Sequence, residues 1–182
     1  MSRRILGIAG APGAGKSTLA QAVVAGTPDA VLVPMDGFHL PTSVLAERGW
    51  VDERGTPRMF DRDGYAELLR TLRTTDRSVW APDFDRSREE PVPGAIEVPA
   101  SARLIVTEGN YLLCWEDVRA LLDECWYVEV DESVRVERLV ARHVLFGRTH
   151  EAARERVLFG SDAANARVVA ASKSFADVIV KG

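Results

Sequence analysis

Gly10-Ala11-Pro12-Gly13-Ala14-Gly15-Lys16-Ser17 follows the apolar run I-L-G-I-A at 5–9 and leads into Thr18-Leu19-Ala20. It matches the pattern G-x-x-x-x-G-K-S/T at every fixed position. Glycines let a backbone take positive φ and approach a ligand closely. Successive N–H groups can then converge on phosphate oxygens, reinforced by the N-terminus of the helix that follows. Lys16 offers a mobile ammonium to terminal phosphates, and Ser17 offers a hydroxyl to magnesium. Such a cradle needs a strand before it and a helix after it. Residues 3–9 read as a short buried strand. Residues 16–25 read as a helix with Leu19, Ala22 and Val23 on one face, stopped by Gly26 and Pro28.

Outward from the loop, strands and helices alternate. Residues 30–35 predict a second apolar strand, 41–48 a short helix, and 49–60 a polar irregular stretch. Residues 63–74 predict a helix with Tyr65, Leu68, Leu69 and Leu72 at helical spacing. A strand is expected at 78–84, a loop at 85–94 because of its charges and Pro91 and Pro93, and a short edge strand at 95–98. Core strands follow at 102–107 and 125–130, with a short helix at 116–122 between them. Helices at 133–146, 150–159 and 163–174 precede a last strand at 176–180. The pattern predicts an α/β fold in three layers, with a mostly parallel central sheet covered on both faces. It gives no composition break within 1–182, so a single domain is expected.

The 182 residues carry 46% hydrophobic and 27% charged side chains and a net charge of −4, an ordinary globular mix. An acidic balance argues against nucleic acid as a partner. No apolar run reaches membrane-spanning length, no secretory leader is visible, and Cys114 and Cys125 show neither metal nor redox spacing. A cytoplasmic setting with no membrane partner is therefore expected, and a homodimer is left open. Of the 23 basic residues only three are lysines, Lys16, Lys173 and Lys181, so the lysine in the glycine-rich loop stands out.

In parallel sheets ligands gather at the carboxyl ends of the strands. Asp36, in P-M-D-G-F-H-L, and Glu108, in I-V-T-E-G-N-Y, each follow an apolar strand and precede a glycine. Phosphoryl transfer to an alcohol needs one carboxylate near the acceptor hydroxyl and another beside magnesium, and these two are the best placed. The ordinary alternative for each is a loop start or a helix cap. His39 could touch a substrate or pack beside Phe38. The histidines and cysteines show no zinc spacing, so magnesium brought with ATP is the expected metal.

Together these segments resemble the uridine kinase, pantothenate kinase and phosphoribulokinase superfamily of P-loop kinases. G-A-P-G-A-G-K-S looks like its nucleotide loop and P-M-D-G-F-H like its strand-end aspartate motif. G-T-P-R-M-F-D and A-P-D-F-D-R resemble its acceptor-side segments, and T-E-G-N-Y-L-L its second acidic motif. The resemblance implies a P-loop NTPase fold with a small helical lid at about 138–155, and an ATP-dependent kinase acting on a small-molecule alcohol. It implies Gly10, Ala11, Pro12, Gly13, Ala14, Gly15, Lys16, Ser17 and Thr18 around the nucleotide. Asp36 becomes the base, with Phe38, His39 and Arg86 near the acceptor, and Ser17 and Glu108 near magnesium. The sequence looks like bacterial members labelled uridine kinase-like or fructose-transport kinase-like.

Arg135, Arg138 and Arg142 recur at spacings of three and four and share a helix face; Arg148 follows Gly147. Spacing alone describes a solvated charge stripe. The resemblance implies phosphate contacts for Arg142, Arg138 and Arg148, and a place near adenine for Asn165. It also meets a departure: His143 and Phe146 stand where uridine kinases carry Asp and Arg, which makes uridine itself a poorer fit. Two other functions compete. A GTPase switch wants N-K-x-D, which the lysine positions exclude, and the D-x-x-G at 61–64 opens a helix rather than ending a core strand. A nucleotide-binding regulatory NTPase without a metabolite acceptor is opposed by intact Lys16, Ser17, Asp36 and Glu108.

Overall fold

The computed structural model describes residues 3–51 and 55–182. Five strands form one parallel sheet: β1 (Arg4–Ala9), β2 (Ala30–Leu32), β5 (Leu104–Gly109), β6 (Glu124–Glu129) and β7 (Val178–Lys181), in the order β2-β5-β1-β6-β7. A separate antiparallel ribbon pairs β3 (Val79–Asp85) with β4 (Glu90–Val98). The helices are α1 (Lys16–Gly26), α2 (Thr42–Glu47), α3 (Arg62–Thr74), α4 (Glu116–Arg119), α5 (Glu132–Leu145), α6 (His150–Phe159) and α7 (Ser161–Ala171).

Alternation along the strands builds two cores. Leu6 and Ile8 of β1 and Val106 of β5 pack beneath α1, with Ala20, Leu19 and Val23. Ile5 and Ala9 of β1 and Ile105 of β5 face the other way and join Tyr65, Leu69 and Leu72 of α3. The sheet is therefore buried on both faces, as a parallel sheet requires. The same alternation decides where the functional side chains point. Glu108 continues the row of Leu104 and Val106 toward α1, whereas Thr107 faces α3 and shares a 2.6 Å hydrogen bond with the Tyr65 hydroxyl. The helices α5 and α6 hold a small core of their own, made by Leu139, Val140, Ala153 and Val157. The expected lid at 138–155 covers the second half of α5, the connection and the start of α6.

Several expectations need correction. The strand expected at 30–35 ends at Leu32. Pro34 has no N–H for a ladder, and a 3₁₀ turn, Met35–Phe38, begins directly after it. Residues 85–94 are not all loop, because β4 begins at Glu90 and contains both Pro91 and Pro93. In a two-stranded ribbon each strand is an edge, so a proline's missing N–H can face outward. The short helix expected at 116–122 ends at Arg119. Within 49–60, residues 52–54 lie outside the described residues; Pro57–Met59 forms a 3₁₀ turn. Trp80 is 59% exposed on β3. Asp61 caps α3 by accepting from the Gly64 amide at 3.0 Å, so the D-x-x-G stretch is a helix start.

Candidate active site

The glycine-rich loop joins the carboxyl end of β1 to α1. Gly10, Gly13 and Gly15 all have positive φ, at 154°, 86° and 98°, a region that side-chain-bearing residues rarely enter. Lys16 opens α1 and is only 8% exposed. Its Nζ donates to the Ala11 carbonyl at 3.2 Å and to Asn110 Oδ1 at 2.9 Å. Ser17 donates its hydroxyl to Glu108 Oε1 at 2.8 Å. Burial pulls the Lys16 ammonium below its ordinary pKa, and Glu108 and Asp36 push it back up. Burial raises the Glu108 carboxyl, with Lys16 opposing. Each group thus limits the other's neutralisation in a poorly solvated place.

Asp36 sits in the 3₁₀ turn after β2. Its Oδ2 accepts from Arg86 at 2.8 Å, and Arg86 comes from the β3–β4 connection. Gly37 makes this meeting possible: a Cβ there would lie 2.4 Å from the Pro82 carbonyl oxygen, so only glycine lets the turn touch β3. His39 packs its ring against Phe60 at 4.0 Å and Phe84 at 4.6 Å, and its Nδ1 lies 2.8 Å from the Asp36 carbonyl oxygen.

Two recesses meet at the loop. A larger cleft of about 730 Å³ contains Asp36, His39, Phe84, Arg86, Glu108 and Asn110 in its lining. A smaller one of about 210 Å³ adds Gly15, Thr18 and Arg138. Gly13, Lys16, Ser17 and Arg142 line both. The structure therefore brings Lys16, Ser17, Asp36, His39, Arg86, Glu108 and Arg142 together around one junction. A Cβ on Gly15 would lie 3.6 Å from an Arg138 guanidinium nitrogen, which sets Arg138 at the loop's edge.

Of the expected site residues, Phe38 falls outside the cleft. Phe38 is buried and packs on Tyr65, ring centroids 5.0 Å apart, and is absent from the cleft lining. The 3₁₀ turn ends at Phe38 and His39 is the first residue beyond it, with ψ 140°; His39 faces the cleft while Phe38 faces the core. Arg148 and Asn165 line the larger cleft and not the smaller recess that holds Gly15 and Thr18. Asn165 is 3% exposed and donates to the Gly55 carbonyl at 2.8 Å. At the departure from the uridine kinase pattern, His143 Nε2 lies 2.7 Å from Asp162 Oδ2, and Phe146 is 58% exposed where it lines the cleft.

Sequence reasoning missed Asn110, Asp162 and the actual place of Arg135. Asn110 lay inside a quoted motif, E-G-N-Y, and its position right after a strand-end glycine was the available signal. Asp162 had none, because its partner is 19 residues away on another helix. Among the described residues no group of three or more His, Cys, Asp or Glu could hold a metal, and no helix is long and apolar enough to cross a membrane.

A parallel sheet with this cradle after its first strand, and acidic residues at the carboxyl-end side of two others, defines a P-loop kinase architecture. The model of the Phosphoribulokinase / Uridine kinase family matches residues 5–182, and the chain belongs to that family. A relative in Aspergillus versicolor, named ATP-dependent kinase-like protein notR', is 36% identical over 145 residues, 72% of this chain and 84% of the relative. A Schizosaccharomyces pombe protein provisionally named a uridine kinase is 37% identical over 172 residues, 85% of this chain and 73% of that one. The crystal structure of a provisionally named fructose transport system kinase from Silicibacter sp. TM1040 is 39% identical with a TM-score of 0.91, covering 98% of this chain and 90% of that one.

Proposed function

We propose that the chain is an ATP-dependent kinase that transfers the γ-phosphoryl group to an alcohol hydroxyl of a small metabolite. The observation that carries this reading is the junction of the two recesses, where Lys16, Ser17 and Arg142 face both sides and Asp36 faces one. The smaller recess suits a nucleotide's phosphates, and the larger has the size of a small-molecule site. The relatives' names point to a sugar-related and a nucleoside kinase, and both kinds of acceptor carry alcohols.

The residues fit ATP and magnesium. Ser17 Oγ and Glu108 Oε1, 2.8 Å apart, are hard oxygen donors on one side of the loop. Magnesium takes few protein ligands and completes its shell with phosphates and water. When bound, magnesium-ATP supplies the phosphoryl group and part of its charge neutralisation. Lys16 neutralises developing charge on the phosphates, aided by Arg142 and by Arg138 at the loop's edge. Arg86 holds one Asp36 oxygen, which leaves Oδ1 to orient the acceptor hydroxyl and take its proton. His39, backed by Phe60 and Phe84, forms a wall for the acceptor. The reaction belongs to a cytoplasmic setting, where ATP is supplied.

An ADP-release screen over nucleosides, vitamins, sugars and glycerate tests this reading. Release should appear with one class of alcohol and be near background without it. Release at one rate with every acceptor, and with none, would favour a regulatory NTPase. Binding linkage gives a second prediction: magnesium-ATP raises the melting temperature. GTP raises it less, since the sequence has no N-K-x-D guanine-reading motif. Equal shifts with the two nucleotides would remove the preference for ATP.

A further inference from the structure

We propose that Arg135 is a positioning residue that sets the phosphate cradle from behind, by gripping the Pro12 carbonyl from the first turn of α5. The proposal rests on reading the loop as a nucleotide site. Its motivation is an unexpected burial. Arg135 shares the face of Arg138 and Arg142, yet it is 3% exposed. Its Nη1 donates to the Pro12 carbonyl at 3.2 Å. The other edge of the guanidinium is clamped by Glu132, with Nε to Oε2 at 2.7 Å and Nη2 to Oε1 at 2.5 Å. That two-point grip is the geometry a planar guanidinium makes and an ammonium cannot. Glu132 itself is 74% exposed, so the clamp closes from the solvent side and fixes which way the guanidinium points.

The consequence follows from peptide geometry. In a trans peptide the C=O and the next N–H point in opposite directions. With the Pro12 oxygen turned back to Arg135, the Gly13 N–H turns the other way, toward the side on which Gly13, Lys16 and Ser17 line both recesses. An amide aimed there is what a phosphate oxygen needs. The helix also closes directly onto the loop. A Cβ on Gly13 would lie 2.9 Å from the Arg135 carbonyl oxygen and 2.8 Å from Leu139 Cγ. The same helix carries Arg138 and Arg142, so one buried contact fixes both the direction of a cradle amide and the register of two arginines.

The test measures ADP binding by calorimetry on the full chain, with wild type, Arg135→Gln, Arg135→Lys and Glu132→Gln compared. Ligand-free melting curves and the Gly13 amide resonance are followed on the same samples. Arg135→Gln should weaken ADP about tenfold or more, as loss of a charge-assisted hydrogen bond does. Arg135→Lys and Glu132→Gln should each weaken it severalfold, since both lose the two-point grip. The Gly13 amide should shift with ADP in wild type and lose most of that shift in the variants. A merely structural role would lower the melting temperature and leave ADP affinity and the Gly13 shift of the folded protein unchanged. ADP affinity within twofold of wild type in folded Arg135→Lys and Glu132→Gln overturns the proposal, even if Arg135→Gln fails to fold. A wild type that does not bind ADP overturns the nucleotide reading and this proposal with it.

Discussion

Replacing Lys16 with alanine lowers turnover by about a hundredfold or more while the chain remains folded. The ammonium lies at the junction of the two recesses, held at 2.9 Å by Asn110 and at 3.2 Å by the Ala11 carbonyl. A cation there meets negative charge that grows on the phosphates during transfer, in surroundings where water screens it poorly. Losing such a charge-assisted contact removes about 3 kcal/mol or more of transition-state stabilisation. The fold should tolerate the change. Lys16 belongs to neither apolar cluster, and burial already disfavours its charge. Lys16 also counters the burial that raises the Glu108 carboxyl. The variant should therefore hold its carboxylate, and any bound magnesium, less well as pH falls. Initial rates of ADP release and a thermal melt on the same preparation check both halves. Wild-type turnover in a folded Lys16→Ala protein would remove the central claim about this site.

The loop and its flanking strand and helix were legible because their signal is local: an apolar run, three glycines and a helical face within about two dozen residues. The strand-end carboxylates were legible for a different reason. A parallel sheet collects strand ends at one edge, so Asp36 and Glu108 could be placed near the loop without knowing the strand order. The period of two along β5 even sends Glu108 to the face of α1, where Ser17 waits. The rest depended on contacts that no local pattern encodes. Lys16 and Asn110 are 94 residues apart, and Arg135 and Pro12 are 123 apart. Spacing put Arg135 on one stripe with Arg138 and Arg142, but it could not tell which member the loop would bury. The β3–β4 ribbon was half-missed because prolines argue against a central strand and say nothing against an isolated pair. Phe38 was misplaced because its neighbour His39 is in the cleft, and the chain leaves its 3₁₀ turn between the two.

Asp36→Asn should keep nucleotide binding and lose phosphoryl transfer, by roughly 10²- to 10⁴-fold, the usual worth of a positioned general base. An alcohol is a poor nucleophile, and a carboxylate beside it both orients the hydroxyl and accepts its proton. Arg86 grips Asp36 Oδ2 at 2.8 Å, a contact the amide oxygen of asparagine can still make, so the turn should hold its shape. What the variant loses is the negative charge and the ability to take a proton. If Asp36 instead holds magnesium, the same substitution should also weaken metal-dependent ATP binding. Affinity for magnesium-ATP and acceptor-dependent turnover, measured on one sample, separate the two roles. Turnover equal to wild type would exclude both and send the search to other carboxylates. Of the carboxylates within three residues of Arg86, Glu89 lines the cleft, whereas Asp83 and Asp85 do not. Asp83 Oδ1 accepts from the Phe84 amide at 2.7 Å, and Asp85 Oδ1 accepts from the Ser87 amide and hydroxyl at 2.8 and 2.7 Å. The hydrogen bonds from Ser87 and Arg88 stabilise the ionised form of Asp85, holding it below its ordinary pKa and making it a weaker base. Asp36 combines a place in the cleft, an oxygen left for the acceptor and a position beside the junction where Lys16 and Arg142 meet the phosphates.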